Sequence, residues 1–286
     1  MAGHNRQIWQ TELDDLMRGV AGAFLFGAPF LYTMEVWWKG NFTSPRHMML
    51  ILGIAYLSLV LLNVKGGFRS EQARTLGQIL SESVEGLAIA LITATLSLIL
   101  IGILRFETGL DAIMGRILTV ALPFSIGVGV ANNVLQGSED EPQTRSRDRD
   151  RGNAWRHTLS DTGSTLLGAI AVGSSIAPTD EIPMIASSLS PIRLLAIIAS
   201  SLFISYIIVF QANFGAQHRR RSQPGLFQGP ISETLASYLI SLAISLLMLW
   251  LFQVVRLDDP FNQWVSYGIV LGFPSTIGGA AGRLAM

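Results

Sequence analysis

From Gly86 to Leu104 the chain carries no charged residue, and the same holds from Ile117 to Gly137 and from Thr234 to Val255. As helices, runs of this length match the hydrocarbon thickness of a bilayer. A backbone in lipid must satisfy its own hydrogen bonds, so a spanning segment is a helix or part of a closed barrel. Barrel strands alternate polar and apolar residues, and these runs do not. Half of the chain is hydrophobic and 14% is charged, against about 25% charged in a soluble domain. The expectation is an all-α polytopic membrane protein. Net charge is zero, which gives no sign of a nucleic-acid partner. Cysteine is absent, which excludes disulfides, thiolate metal sites and cysteine nucleophiles.

The apolar pattern predicts eight spans: residues 19–38, 48–64, 79–104, 113–135, 162–184, 193–210, 231–255 and 264–284. A short amphipathic segment, Ile8 to Met17, precedes the first. Between the fourth and fifth lies "QGSEDEPQTRSRDRDRGNAWR", with too few apolar residues to offset the entropy of ordering. This divides the chain into a first four-helix repeat (1–135), a disordered linker (136–154) and a second four-helix repeat (155–286). With an even number of spans, fourteen of the twenty Lys and Arg residues share a side with the termini and the linker. The expected location is a bacterial inner membrane with both termini cytoplasmic.

A shift of 146 positions aligns "GAFLFGAPFLYTMEV" from Gly22 on "GAIAVGSSIAPTDEI" from Gly168 without gaps. Gly22, Gly27, Thr33 and Glu35 find Gly168, Gly173, Thr179 and Glu181. After the second span the shift becomes 151. Glu82 then finds Glu233, Arg105 finds Arg256, Pro123 finds Pro274 and Gly127 finds Gly278. Shared composition explains Leu on Leu but not ordered matches of Trp, Glu, Arg and Pro. The pattern points to an internal duplication. Four spans per unit give both copies the same orientation, as parallel repeats about an axis along the membrane normal.

Carboxylates in such spans are the candidates for chemistry, because an acid in mid-bilayer is costly and normally faces protein or water. Glu35 lies about 25 Å up a helix from Arg18, and Glu181 shares that depth. Thr33 and Thr179 precede them and supply hydroxyl oxygens. Pro178 and Pro183 bias the helix to break around Thr179, Asp180 and Glu181. Carboxylates, hydroxyls and freed carbonyls suit a hard cation, or a carboxylate carries a proton. The competing reading puts Glu35 and Glu181 among solvated headgroups, with Trp37, Trp38 and Lys39 after Glu35 as an interface belt. Asp180 has no acidic counterpart, since Met34 stands there. Glu82 and Glu233, at the starts of the third and seventh spans, are open to two readings: acids complementing a helix dipole, or the inner mouth of a cation path.

No H-E-x-x-H, G-x-S-x-G or kinase-type loop occurs, and the four His residues fall in loops or flanks. Neither an enzyme nor a cofactor is expected, and the residues leave any metal undecided. At "GAIAVGSSIAPTDEIPMIA" the chain resembles a family of bacterial inner-membrane proteins of unknown function. The resemblance extends over most of the chain. It implies a bacterial membrane location and supplies no ligand or catalytic residues. The leading reading is a cation or proton channel or transporter. Glu35, Glu181, Thr33, Thr179 and Asp180 form its outer site, and Glu82 and Glu233 its inner mouth. Its partners are the lipid bilayer and an inorganic cation or proton, and a homo-oligomer is compatible with the pattern. The rival is a non-transporting membrane sensor or scaffold.

Overall fold

A computed structural model describes residues 2–65, 75–105, 107–135, 154–211 and 230–285. Among the described residues there are ten α-helices and no strands. In chain order they are α1 (Ala2–Leu31), α2 (Met34–Gly40), α3 (Pro45–Lys65), α4 (Leu76–Leu100), α5 (Leu110–Leu135), α6 (Ala154–Ile176), α7 (Glu181–Ser188), α8 (Pro191–Tyr206), α9 (Pro230–Leu251) and α10 (Phe261–Ala285). A π-helical turn, Ile207–Gln211, continues α8. The linker expected over 136–154 lies outside the described residues except for Ala154, as does the loop around Arg219.

Five of these helices, α3, α4, α5, α8 and α9, are long and apolar enough to cross a membrane. The protein is thus an all-helical polytopic membrane protein. The remaining expected spans take other forms. The first is not one continuous helix over 19–38: α1 and α2 meet at an 87° bend. Thr33 is extended there (φ −107°, ψ 103°), and its hydroxyl donates to the Pro29 carbonyl at 3.1 Å instead of capping α2. A hydroxyl that takes a backbone carbonyl competes with helical continuation. The fifth ends early, since the apolar part of α6 covers only Thr162–Ile176. Pro178 disfavours a helical residue before it. The chain turns through 177–180 and resumes as α7.

The eighth, α10, has sufficient length but not the apolarity of a lipid-facing helix. Gly268, Gly272, Ser275, Gly278 and Gly279 are buried instead, on a helix packed against α6 and α9. A helix shielded by protein has no need to be greasy, and small residues let its neighbours approach. In contrast α3, strongly apolar between its ends, leaves most of its residues outside the protein interior.

The chain forms two compact units: residues 1–134 with 183–193, and residues 135–182 with 194–286. The segment 183–193, which the sequence assigns to the second repeat, therefore groups with the first unit. In the first unit α1 and α5 pack backbone to backbone. A Cβ on Gly22 would strike the Gly127 carbonyl, and one on Gly127 would strike that of Gly22. Gly27 lies under the Phe124 ring, which Phe24 meets edge-on (5.6 Å, 70°). Asn63 of α3 donates to Ser83 of α4 at 2.9 Å. Arg116 of α5 donates to Asn41 Oδ1 and to the Ile103 carbonyl, tying α5 to the loops after α2 and α4.

The second unit packs α6 on α10 in the same manner, with Gly168 facing the Gly278 carbonyl and Gly278 facing that of Gly168. Gly173 lies beside Ser275 of α10, and Gly279 beside Thr165 of α6 and Ser241 of α9. Helices α4 and α9 also end alike. Gly102 and Gln253, 151 positions apart, both have positive φ (76° and 60°). The next two amides, of Ile103 and Leu104, donate to Leu98 O, and those of Val254 and Val255 to Leu249 O.

Candidate functional site

Glu35 sits in the first turn of α2 and is exposed, between half-buried Met34 and Val36. Glu181 opens α7 and is half-buried, while Asp180 before it is exposed. The Thr179 hydroxyl donates to Ile176 O at 2.7 Å, as Thr33 does to Pro29 O. Each Thr-x-Glu is thus a local turn in which the threonine hydrogen is already used. Glu35 belongs to the first unit and Glu181 to the second.

The deeply buried charges lie elsewhere. Glu82 of α4 is 5% exposed. The start of α4 is closed by a capping box between Thr75 and Gln78, so Glu82 stands in the second turn and is not needed as a cap. Glu233 differs: it is in the first turn of α9 and forms an ion pair with Arg283 of α10, whose side chain is 2% exposed. In the first unit Asp15 and Arg18 pair at 2.9 Å, both buried. Asp15 also lines a cavity of about 260 Å³ with Glu12 and Glu85, walled by Leu16, Ile89 and Ile92. Among the described residues no group of three or more His, Asp or Glu is placed to hold a metal ion.

The second unit adds a row of buried hydroxyls. Ser237, Ser241 and Ser245 repeat every four residues on α9, so they share one face of the helix. All three are buried, as are Ser201 and Ser205 of α8 and Ser275 and Thr276 of α10. The hydroxyls of Ser205, Ser237, Ser241 and Ser275 have no hydrogen-bond partner among the described residues. Under the 146- and 151-residue shifts these four align with Leu59, Gly86, Ala90 and Phe124. Unit two therefore carries polar oxygen where unit one carries plain packing.

Sequence reasoning singled out Glu82 and Glu233 but missed their surroundings. The i, i+3 spacing of Asp15 and Arg18 could have marked their pair, because such residues share a helix face. Nothing in the sequence links Glu233 to Arg283, since they sit on different helices and meet only through the packing of α9 on α10.

No curated protein and no solved structure matches the chain. A family model does match, over residues 15–286, and so covers both units and every residue of the candidate site from Asp15 onward. The chain belongs to the integral membrane family described as "Putative integral membrane protein (DUF2391)".

Proposed function

We propose that this protein moves a small inorganic cation or a proton across a bacterial inner membrane, with both termini cytoplasmic, and that it is not an enzyme. The observation that carries this reading is the burial of ionisable side chains in apolar helices, above all Glu82 at 5% exposure. Placing a charge within a membrane helix costs about 2.5–3.5 kcal/mol on insertion scales, and such residues commonly mark ion or proton paths. Glu82 and Glu233 take the central roles, with Arg283 of α10 paired to Glu233 and Arg18 of α1 paired to Asp15. Glu35 and Glu181, with Thr33, Thr179 and Asp180, are assigned to the opposite rim, where an ion is first met.

Two parallel four-helix repeats are part of the same proposal. The matched glycine contacts, Gly22 with Gly127 and Gly168 with Gly278, support it. So do the matched left-handed residues Gly102 and Gln253. The test is flux of protons, sodium, potassium, calcium and magnesium in proteoliposomes. Wild-type protein should carry at least one of these, and Glu82→Gln should reduce that flux tenfold or more. Unchanged flux in the Glu82→Gln, Glu233→Gln double variant would reject the assignment. The exposure of Glu35 and Asp180 favours a second reading, a non-transporting sensor or scaffold. Absence of flux for all five ions would select it.

A further inference from the structure

A cavity of about 520 Å³ opens in the second unit among α8, α9 and α10. Its walls are apolar and include Ile198, Leu242, Leu246 and Ile269. Polar groups mark two ends. Tyr238 lines it from the first half of α9, about 12 Å along the helix from Leu246. Asp259 and Trp264 line it beyond the other end of α9.

The mouth is built rather than incidental. Asp259 Oδ2 accepts the Arg256 backbone N–H at 2.8 Å, and Trp264 Nε1 donates to the Arg256 carbonyl at 3.0 Å. One residue's backbone thus anchors both a carboxylate and an indole. A carboxylate and an indole lining one cavity are the side chains that recognise an organic ammonium or similar soft cation, by charge and by cation–π attraction. A hard metal ion would require about six oxygen ligands, and the carboxylate repels an anion. The volume falls in the range of pockets for drug-sized molecules. Tyr238 contributes to the lining, while its hydroxyl oxygen is itself buried.

We propose that this cavity binds a lipophilic organic cation, its charge held at Asp259 and Trp264 and its apolar body lying along Leu242, Leu246 and Ile269. Under the 151-residue shift, Tyr238, Asp259 and Trp264 align with Leu87, Thr108 and Ile113. The polar and aromatic features therefore belong to the second unit alone. The inference does not depend on ion transport, because the same site serves a carrier, a sensor or a regulated channel.

The test uses the full chain in phosphatidylcholine nanodiscs, with tritiated tetraphenylphosphonium as probe and tetraphenylborate as its charge-inverted counterpart. Saturable binding of one phosphonium per chain is expected, with borate at least tenfold weaker. Asp259→Asn should weaken phosphonium binding tenfold or more, Trp264→Leu threefold or more, and Thr108→Asn not at all. Ile198→Trp should fill the cavity and abolish binding while leaving the Asp259–Arg256 hydrogen bond in place. It decides the matter if Asp259→Asn fails to fold. Equal affinity for the two probes would mean that the cavity holds only a lipid tail and would overturn the proposal. So would binding that survives Ile198→Trp, or no saturable binding.

Discussion

Gly22 of α1 and Gly127 of α5 meet so closely that a Cβ on either would strike the other's carbonyl oxygen. Gly168 of α6 and Gly278 of α10 repeat that relationship at positions shifted by 146 and 151 residues. In membranes, where lipid is as apolar as Leu, helices associate through close packing of this kind. The backbones also come near enough for weak Cα–H···O contacts. The same two contacts are thus the central packing joint of each unit.

Substitutions at these joints should be costly in proportion to the space available. Gly22→Ala and Gly168→Ala should each destabilise the protein by about 1–3 kcal/mol, the usual cost of overpacking. At Gly53 the space is open, with nothing within 4 Å of where a Cβ would sit. Gly53→Ala should stabilise by about 0.5–1 kcal/mol through helix propensity. Thermal unfolding in detergent, read by scattering or dye binding, separates the two classes.

The two left-handed caps should respond oppositely. Gln253 holds a positive φ that suits glycine, so Gln253→Gly should stabilise the end of α9 by about 1 kcal/mol. Gly102→Ala should destabilise, both from φ 76° and because a methyl there would lie 2.9 Å from Arg193 Nη1. Melting temperatures of the two variants should move in opposite directions.

In the Glu233–Arg283 pair the arginine is buried and the acid partly exposed (side chains 2% and 26% exposed). Arg283→Met leaves a half-buried carboxylate without its cation, at a cost of about 1–3 kcal/mol, below that of breaking a fully buried pair. Adding Glu233→Gln to Arg283→Met should recover part of that loss. A double-mutant cycle on melting midpoints measures the coupling, and additivity would show that the pair contributes nothing jointly.

The helices most legible in the sequence are those whose sides meet lipid. For α3, α4, α5, α8 and α9, an uninterrupted apolar run is itself the requirement of the surrounding solvent. Burial in protein weakens that signal: the apolar run of α10 is interrupted by Ser, Gly and Pro and falls short of the apolarity of those five helices. The bend at Thr33 was not legible, because the break rests on one hydroxyl choosing the Pro29 carbonyl. The break before Glu181 was legible through Pro178 and Pro183. Among the site residues, Glu82 and Glu233 were visible as acids near the starts of apolar runs. Their surroundings were not, since Arg283 reaches Glu233 only through tertiary packing. Nor did the alternation of Leu242, Leu246 and Ile269 announce a cavity, because lining and core residues are chemically alike.

The absence of native cysteine allows the parallel duplication to be tested directly. Single cysteines at Glu107 and Asp258 occupy aligned, exposed positions after α4 and α9. Cysteines at Ser81 and Ser232 occupy aligned positions near the starts of those helices. In sealed vesicles of known orientation, a membrane-impermeant maleimide should label the Glu107→Cys and Asp258→Cys variants from one side. It should label the Ser81→Cys and Ser232→Cys variants only from the other. Labelling of Glu107→Cys and Asp258→Cys from opposite sides would contradict two like-oriented repeats.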